Sequence, residues 1–260
     1  MSELLGGIIG RRDLLRALSW REIRIKYKQS VMGMLWAILM PAVIVFAGVL
    51  VRYGFALVSG SPLRLADVMS VSVRAVPWAF FVSSIRFGMT SLVGNSTLVT
   101  KIYFPREILP LAAVVSQFVD FAIAGALLTI VLAVARVGVS EQLLWVPVLA
   151  VLLVLMTAGL ALVLAAGSLF FRDVKYLVEV ILTFAIFFTP VFYEASMFGR
   201  WSSLLMLNPI TPLLEGFANV IVRHTPPPAA LGYSAAMALL AFFGGLHVFQ
   251  RVEPYFAESV

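Results

Sequence analysis

Two ionisable side chains, Arg86 and Asp120, lie within long apolar runs of the sequence, 75–99 and 108–135. A charge placed in hydrocarbon is costly, so by default it faces a partner or a polar cavity. Arg86 lies nine residues from Asn95, and Asp120 lies fourteen from Arg106, counted inward from the connection between the runs. At about 1.5 Å per helical residue the two depths differ by about 7 Å, a gap a long arginine bridges. The spacing predicts an intramembrane Arg86–Asp120 ion pair, with the lining of a polar path as the alternative.

Aromatic side chains form the second group: Trp78, Phe80 and Phe81 in one run, and Phe184, Phe187, Phe188 and Tyr193 in another. Such rings can stack on the C–H faces of sugars, which makes these residues, with Arg86, candidates for a substrate path. Packing, lipid contact and interfacial anchoring are the competing reading.

Other chemistry is missing from the chain. It has no cysteine and two distant histidines, His224 and His247, so thiolate and His-rich metal sites are excluded. No G-x-x-x-x-G-K-[ST] phosphate loop occurs, and no G-x-S-x-G elbow. No acidic pair at D-x-D or E-x-x-D spacing suggests catalysis.

The elements that position these residues follow from composition. Of 260 residues, 62% are hydrophobic and 12% charged, against about 45–50% and about 25% in soluble domains. A soluble fold cannot hide that apolar surface, so membrane is the solvent. The net charge of +6 then matters through its placement and does not imply nucleic acid. A hydrocarbon core of about 30 Å takes about 20 helical residues. Spans are expected at about 32–55, 75–95, 107–135, 143–170, 174–193 and 229–250. Arg11-Arg12 is followed by further basic residues and then by Met32–Val51, an uncharged run of spanning length. The reading is a retained first span, not a cleaved signal.

The stretch SLLMLNPITPLLEGFANVIV at 203–222 is apolar but carries Asn208, Pro209 and Pro212 in its middle. Proline removes a donor and clashes with the preceding turn. Two short helices entering and leaving on one side are expected over 196–222, with one kinked crossing as the alternative. With six spans and both termini on one side, 12 of the 19 basic residues fall on that side and 6 on the other. The excess marks the cytoplasmic face.

Residues 11–30 read as a helix along that face. Leu14, Leu18 and Ile25 share one side, Trp20, Ile23 and Tyr27 the other, with basic residues between. Two apolar stripes suit lipid on one face and protein on the other; a plain positive anchor is the alternative. In the turn 93–110, Asn95 or Ser96 is placed to cap a short helix, and Pro105 ends it. That helix either docks a cytoplasmic partner or simply connects spans.

Five segments in order carry a resemblance: WREIRIKYKQSVMGMLWAILMP at 20–41, TKIYFPREILP at 100–110, FFRDVKYLVEV at 170–180, TPVFY at 189–193 and LNPITPLLEGFANVI at 207–221. Together they resemble the ABC-2 type permeases that export lipid-linked polysaccharides, such as O-antigen and teichoic acid. The resemblance implies one ABC-2 transmembrane domain over residues 1–260: an all-α integral membrane protein with an interface helix, six spans and two re-entrant helices. It implies a homodimer of permeases in the inner membrane, both termini cytoplasmic, with two separate ABC ATPase subunits. This chain would then carry no cofactor, ATP and Mg being held by the ATPases. ATPase coupling would fall to Arg21, Arg24, Lys26 and Lys28, and to Ser96, Thr97, Lys101 and Tyr103. The outer closure would fall to Asn208, Pro209 and Pro212. Another ABC-2 cargo (capsule polymer, teichoic acid or drug) remains an alternative. So do a membrane glycosyl- or phosphotransferase and a self-sufficient channel.

Overall fold

The structure, a computed structural model of the chain, describes residues 12–28, 35–60, 62, 64–101 and 104–256. All regular elements among them are helical. Helix α1 (Arg12–Lys28) precedes α2 (Leu35–Ser59), α3 (Leu65–Gly94), the short α4 (Ser96–Lys101) and α5 (Ile108–Val134). A 3₁₀ turn at Glu141–Leu144 leads into α6 (Trp145–Phe170), then α7 (Asp173–Phe188). A second 3₁₀ stretch, Ala195–Trp201, runs into α8 (Ser202–Met206). Then come α9 (Thr211–Ala218), a π turn at Asn219–Arg223, α10 (Leu231–Val252) and a last 3₁₀ turn at Glu253–Tyr255.

Five helical stretches among the described residues are long and apolar enough to cross a membrane: Ile38–Val58, Leu65–Gly94, Ile108–Val134, Glu141–Phe170 and Leu231–Tyr255. They match five of the expected spans. The expected span at 174–193 is α7, whose 16 residues reach about 24 Å, short of a hydrocarbon core of about 30 Å. It ends because Pro190 follows. The residue before proline is driven from helical to extended backbone, and Thr189 sits at φ −116°, ψ 133°.

Helix α3 starts ten residues before the expected 75. Asp67 sits in its first turn and its carboxylate accepts from the Arg64 backbone N–H at 3.1 Å. That contact closes the helix start. The helix continues through Arg74 and Pro77. It is the central element: 78% of its apolar window is buried in protein, against 11% for α2. It packs on α5 and α6, and less extensively on α2.

The other main contact is α6 with α10. A Cβ on Gly159 would lie 2.2 Å from the backbone of Ala241, and one on Gly245 would lie 2.4 Å from the Gly159 carbonyl oxygen. The two backbones therefore touch, and only hydrogen fits between them. Lipid tails are as apolar as leucine, so close backbone approach is a main source of helix association in membranes.

At the far end of α10, the Arg106 backbone N–H donates to Glu253 Oε1 at 3.1 Å, and its guanidinium donates to the Glu253 carbonyl at 2.8 Å. The final turn is thereby tied to the turn after α4. Adding one methyl at the Gly159 crossing overpacks it and costs about 1–3 kcal/mol. Gly159→Ala should lower the thermal unfolding midpoint in detergent. Gly125→Ala, where a Cβ meets nothing within 4 Å, should leave the midpoint unchanged or raise it by helix propensity.

Candidate functional site

Helix α1 lies against α5 along a face of mixed polarity. Leu15 and Leu18 pack on the core, Ser19 is buried, and Lys26 lies on the same face. This stripe takes in Leu18 from one of the two expected apolar sides and extends toward the other, where Ile23 and Tyr27 are half-buried. Trp20 and Ile25 stay exposed. The reason is polar pairing. Lys26 Nζ donates to Gln117 Oε1 at 2.9 Å and forms an ion pair with Asp120. The Tyr27 hydroxyl donates to the other Asp120 oxygen. Burial first, and the Asp120 carboxylate second, push that hydroxyl well above its ordinary range, so it stays protonated and donating. Arg21 donates to Asn95 Oδ1, while Asn95 Nδ2 donates back to the Ser91 carbonyl at 2.8 Å. Asn95 therefore does not cap α4 with its side chain; it links α1 to the end of α3.

Asp120 thus takes Lys26 and Tyr27, and the expected Arg86–Asp120 pair is not formed. Arg86 pairs with Glu179 of α7, Nε to Oε2 at 2.8 Å, with the N–H off the hydrogen-bond direction. Depth along the helices allowed the expected pair. Lys26 of α1 and Glu179 of α7 supply the actual counter-charges.

These charges border a cavity of about 640 Å³ among α1, α2, α3, α5 and α7. Lys26, Tyr27, Gln117, Asp120 and Arg86 supply its polar part. Trp36, Met40 and Ile44 of α2, Trp78 and Phe80 of α3, and Leu182 and Ile186 of α7 make apolar walls. Phe80 stacks on Phe121, centroids 5.2 Å apart. Lys26 Nζ lies 5.3 Å from the Phe87 ring centre, within cation–π reach. A site with one charged region and apolar walls can hold an amphiphile.

The expected substrate-path residues divide. Trp78, Phe80 and Arg86 line the cavity. Phe81 is buried in the core against Trp78. Phe184, Phe187 and Phe188 project from the opposite side of α7 and are exposed, because Leu182, Thr183 and Ile186 occupy its cavity side. Tyr193 is outside the cavity; its hydroxyl donates to the Phe187 carbonyl at 2.7 Å.

The expected coupling residues divide too. Arg21 and Lys26 are turned inward, whereas Arg24 and Lys28 are exposed, Arg24 lying over the Trp20 ring. Thr97 is exposed and Ser96 half-buried on α4, which Val99 anchors with full burial. Tyr103 and the Lys101 side chain lie outside the described residues, as do Arg11 and residues 29–34.

A second charged cluster escaped the sequence reading. Arg74, one residue before the expected span at 75–95, is fully buried in α3. Its guanidinium donates to the Tyr193 carbonyl at 2.7 Å and to Glu215 Oε1 at 3.1 Å, and its Nε donates to the Ser70 carbonyl at 3.1 Å. Arg52, near the end of the first expected span, lies in α2 and pairs with Asp67 and, at 3.9 Å, with Glu194. Arg223 reaches Glu194 at 2.5 Å and Glu215 at 3.8 Å. Three guanidiniums and three carboxylates balance. The available signal was Asp67, a helix-start residue ahead of an uninterrupted run through Arg74.

The proline-split stretch is built on this cluster. Asn208 Nδ2 donates to Thr189 Oγ1 at 3.0 Å, and its Oδ1 accepts from the Ile210 N–H at 3.2 Å. Asn208-Pro209 is therefore the turn between α8 and α9. Pro212 sits in the first turn of α9, where a missing N–H costs nothing; it starts a helix and does not break one.

Removing the Asp120 carboxylate strands Lys26 and Tyr27. Asp120→Ala should cost about 1.5–3 kcal/mol, the usual range for hydrogen bonds to a charged group. This is measurable as a lower unfolding midpoint in detergent. Lys26→Met combined with Asp120→Leu should cost less than the sum of the single changes, because the charges go together.

Comparison with known proteins gives a consistent result. The family model described as ABC-2 type transporter matches residues 13–222. The chain is 27% identical to the O-antigen export system permease protein RfbA of Myxococcus xanthus, over 100% of both chains. It is 26% identical to a protein of that name from Klebsiella pneumoniae, over 95% of this chain and 94% of the relative. A second Klebsiella pneumoniae protein of that name is 25% identical over the same shares. With several apolar helices of spanning length and a family match over most of its residues, this chain is a multi-pass membrane protein of the ABC-2 type transporter family.

Proposed function

We propose that the chain is the permease subunit of an exporter of lipid-linked polysaccharide of the O-antigen kind. It acts in the inner membrane as a pair of permease chains driven by two separate ATPase subunits. Full-length similarity to O-antigen export permeases supports the cargo class. The lack of a phosphate-binding loop fits a chain whose ATP and Mg are held elsewhere. A cavity with a charged region and apolar walls suits a cargo with an anionic head and a hydrocarbon tail.

One observation carries the coupling reading. Helix α1, the turn at α4 and the last turn of α10 are joined at one end of the bundle by the Arg21–Asn95 and Arg106–Glu253 contacts. On this reading that end is cytoplasmic and holds both termini. The ATPase docks on Arg24, Lys28 and Thr97, and Lys26 and Asp120 pass its movement into α5. Helix α7 and the extended chain that follows it together make the sixth crossing on this reading, with Arg86 balancing Glu179. The chain from Glu194 to Arg223 enters and returns on the outer side, its ends joined by their ion pair. Its helices, five and eight residues long, are too short to cross.

The test is co-purification from lipid followed by an ATPase assay. The chain should emerge with an ATP-hydrolysing subunit, and emergence alone overturns the reading. Arg24→Glu with Lys28→Glu should abolish export and leave membrane insertion intact; unchanged export removes the docking role.

A further inference from the structure

Residues 194–223 fall into two mechanically different parts. Every residue of α9, Thr211–Ala218, is buried, and Glu215 within it is fixed by Arg74 and by the Ala195 N–H at 3.0 Å. By contrast, the stretch 196–207 carries large exposed side chains, Trp201 at 59% and Leu207 at 65%. It kinks at Gly199, φ +52°, a conformation glycine adopts freely.

Leu205 packs on the core, and few other contacts hold this stretch down. Glu194 binds Arg52 and Arg223 at one end, with Arg52 also donating to Met197 Sδ at 2.9 Å. Phe198 lies on Tyr193, centroids 4.9 Å apart. At the other end, Asn208 is tied to Thr189, and the Tyr233 hydroxyl donates to the Leu207 carbonyl at 3.0 Å. The Arg74–Glu215 pair is wholly enclosed, while the arginine side of the Arg223–Glu194 pair is a third exposed. A partly exposed pair breaks far more readily than an enclosed one.

We propose that residues 196–207 form a flap over the outer end of the helices, and that Glu194, shared between Arg52 and Arg223, is the latch that holds it closed. Helix α9 and Arg74 are the fixed seat. This rests on the reading that residues 194–223 lie on the outer side. It moves the mobile part of the closure from the proline turn to the exposed stretch before it.

Because the chain has no cysteine, Ser203→Cys in the flap and Ala229→Cys just before α10 each give a single spin-label site in lipid nanodiscs. Glu194→Gln and Arg223→Gln should each raise the open-to-closed ratio by up to about fivefold, the scale of one partly exposed ion pair. The increase is read as growth of the mobile spectral component at position 203, with position 229 unchanged. Unaltered spectra at 203 in both variants overturn the latch. Equal loosening at 229 also overturns it, since the cluster would then support the whole fold. A membrane-impermeant thiol reagent on intact cells tests the underlying reading separately. If the Ser203→Cys variant reacts only after the cells are opened, the outer placement fails, while the spectra still decide the latch.

Discussion

A charge held in an apolar surrounding has to be matched nearby, and that requirement organises this molecule. Arg74 is fully enclosed, yet it stands between a carbonyl from the loop after α7 and a carboxylate from α9. Breaking such a pair costs far more than forming it gains. The pair therefore specifies which segments meet more than it adds to stability. The same logic draws α1 to α5 through Asp120 and α7 to α3 through Glu179. Side chains that hydropathy treats as interruptions choose the partners of the helices.

Apolar packing does the complementary task. Helix α3 touches protein on most sides, and α6 meets α10 backbone to backbone. Helices α2 and α7 present long apolar surfaces outward, as lipid-facing elements do. The bundle has a dense centre of α3, α6 and α10, with α2, α5 and α7 around it. The cavity lies between that centre and the periphery, bounded by the helices with most outward-facing surface.

Much of this was legible in the sequence. Runs of spanning length gave five helices within a few residues of their bounds, except at the start of α3. The Asn208-Pro209 turn and the short helix after Asn95 were marked by residues that favour turns and caps. What hydropathy could not show was pairing. Depth counting put Arg86 opposite Asp120 because it compared only two charges and ignored Lys26 and Glu179. Arg74 falls just outside the expected second span because a charge lowers hydropathy whether or not a carboxylate waits opposite it. The outward turn of Phe184, Phe187 and Phe188 follows from helix rotation, which a run of aromatics does not fix when both sides are apolar.

The glycine contact between α6 and α10 also bears on how such a chain tolerates change. At Gly159 and Gly245 selection acts on volume alone, since a single methyl meets backbone that has nowhere to go. A few residues away, Val151 and Val163 on α6 and Leu239 and Leu240 on α10 face outward, where most apolar side chains serve equally. Going around either helix, the permitted alphabet therefore narrows to one letter and widens again within a single turn. Distant descendants of this sequence can drift across most of those two helices and still be recognised by the positions where nothing larger than hydrogen fits.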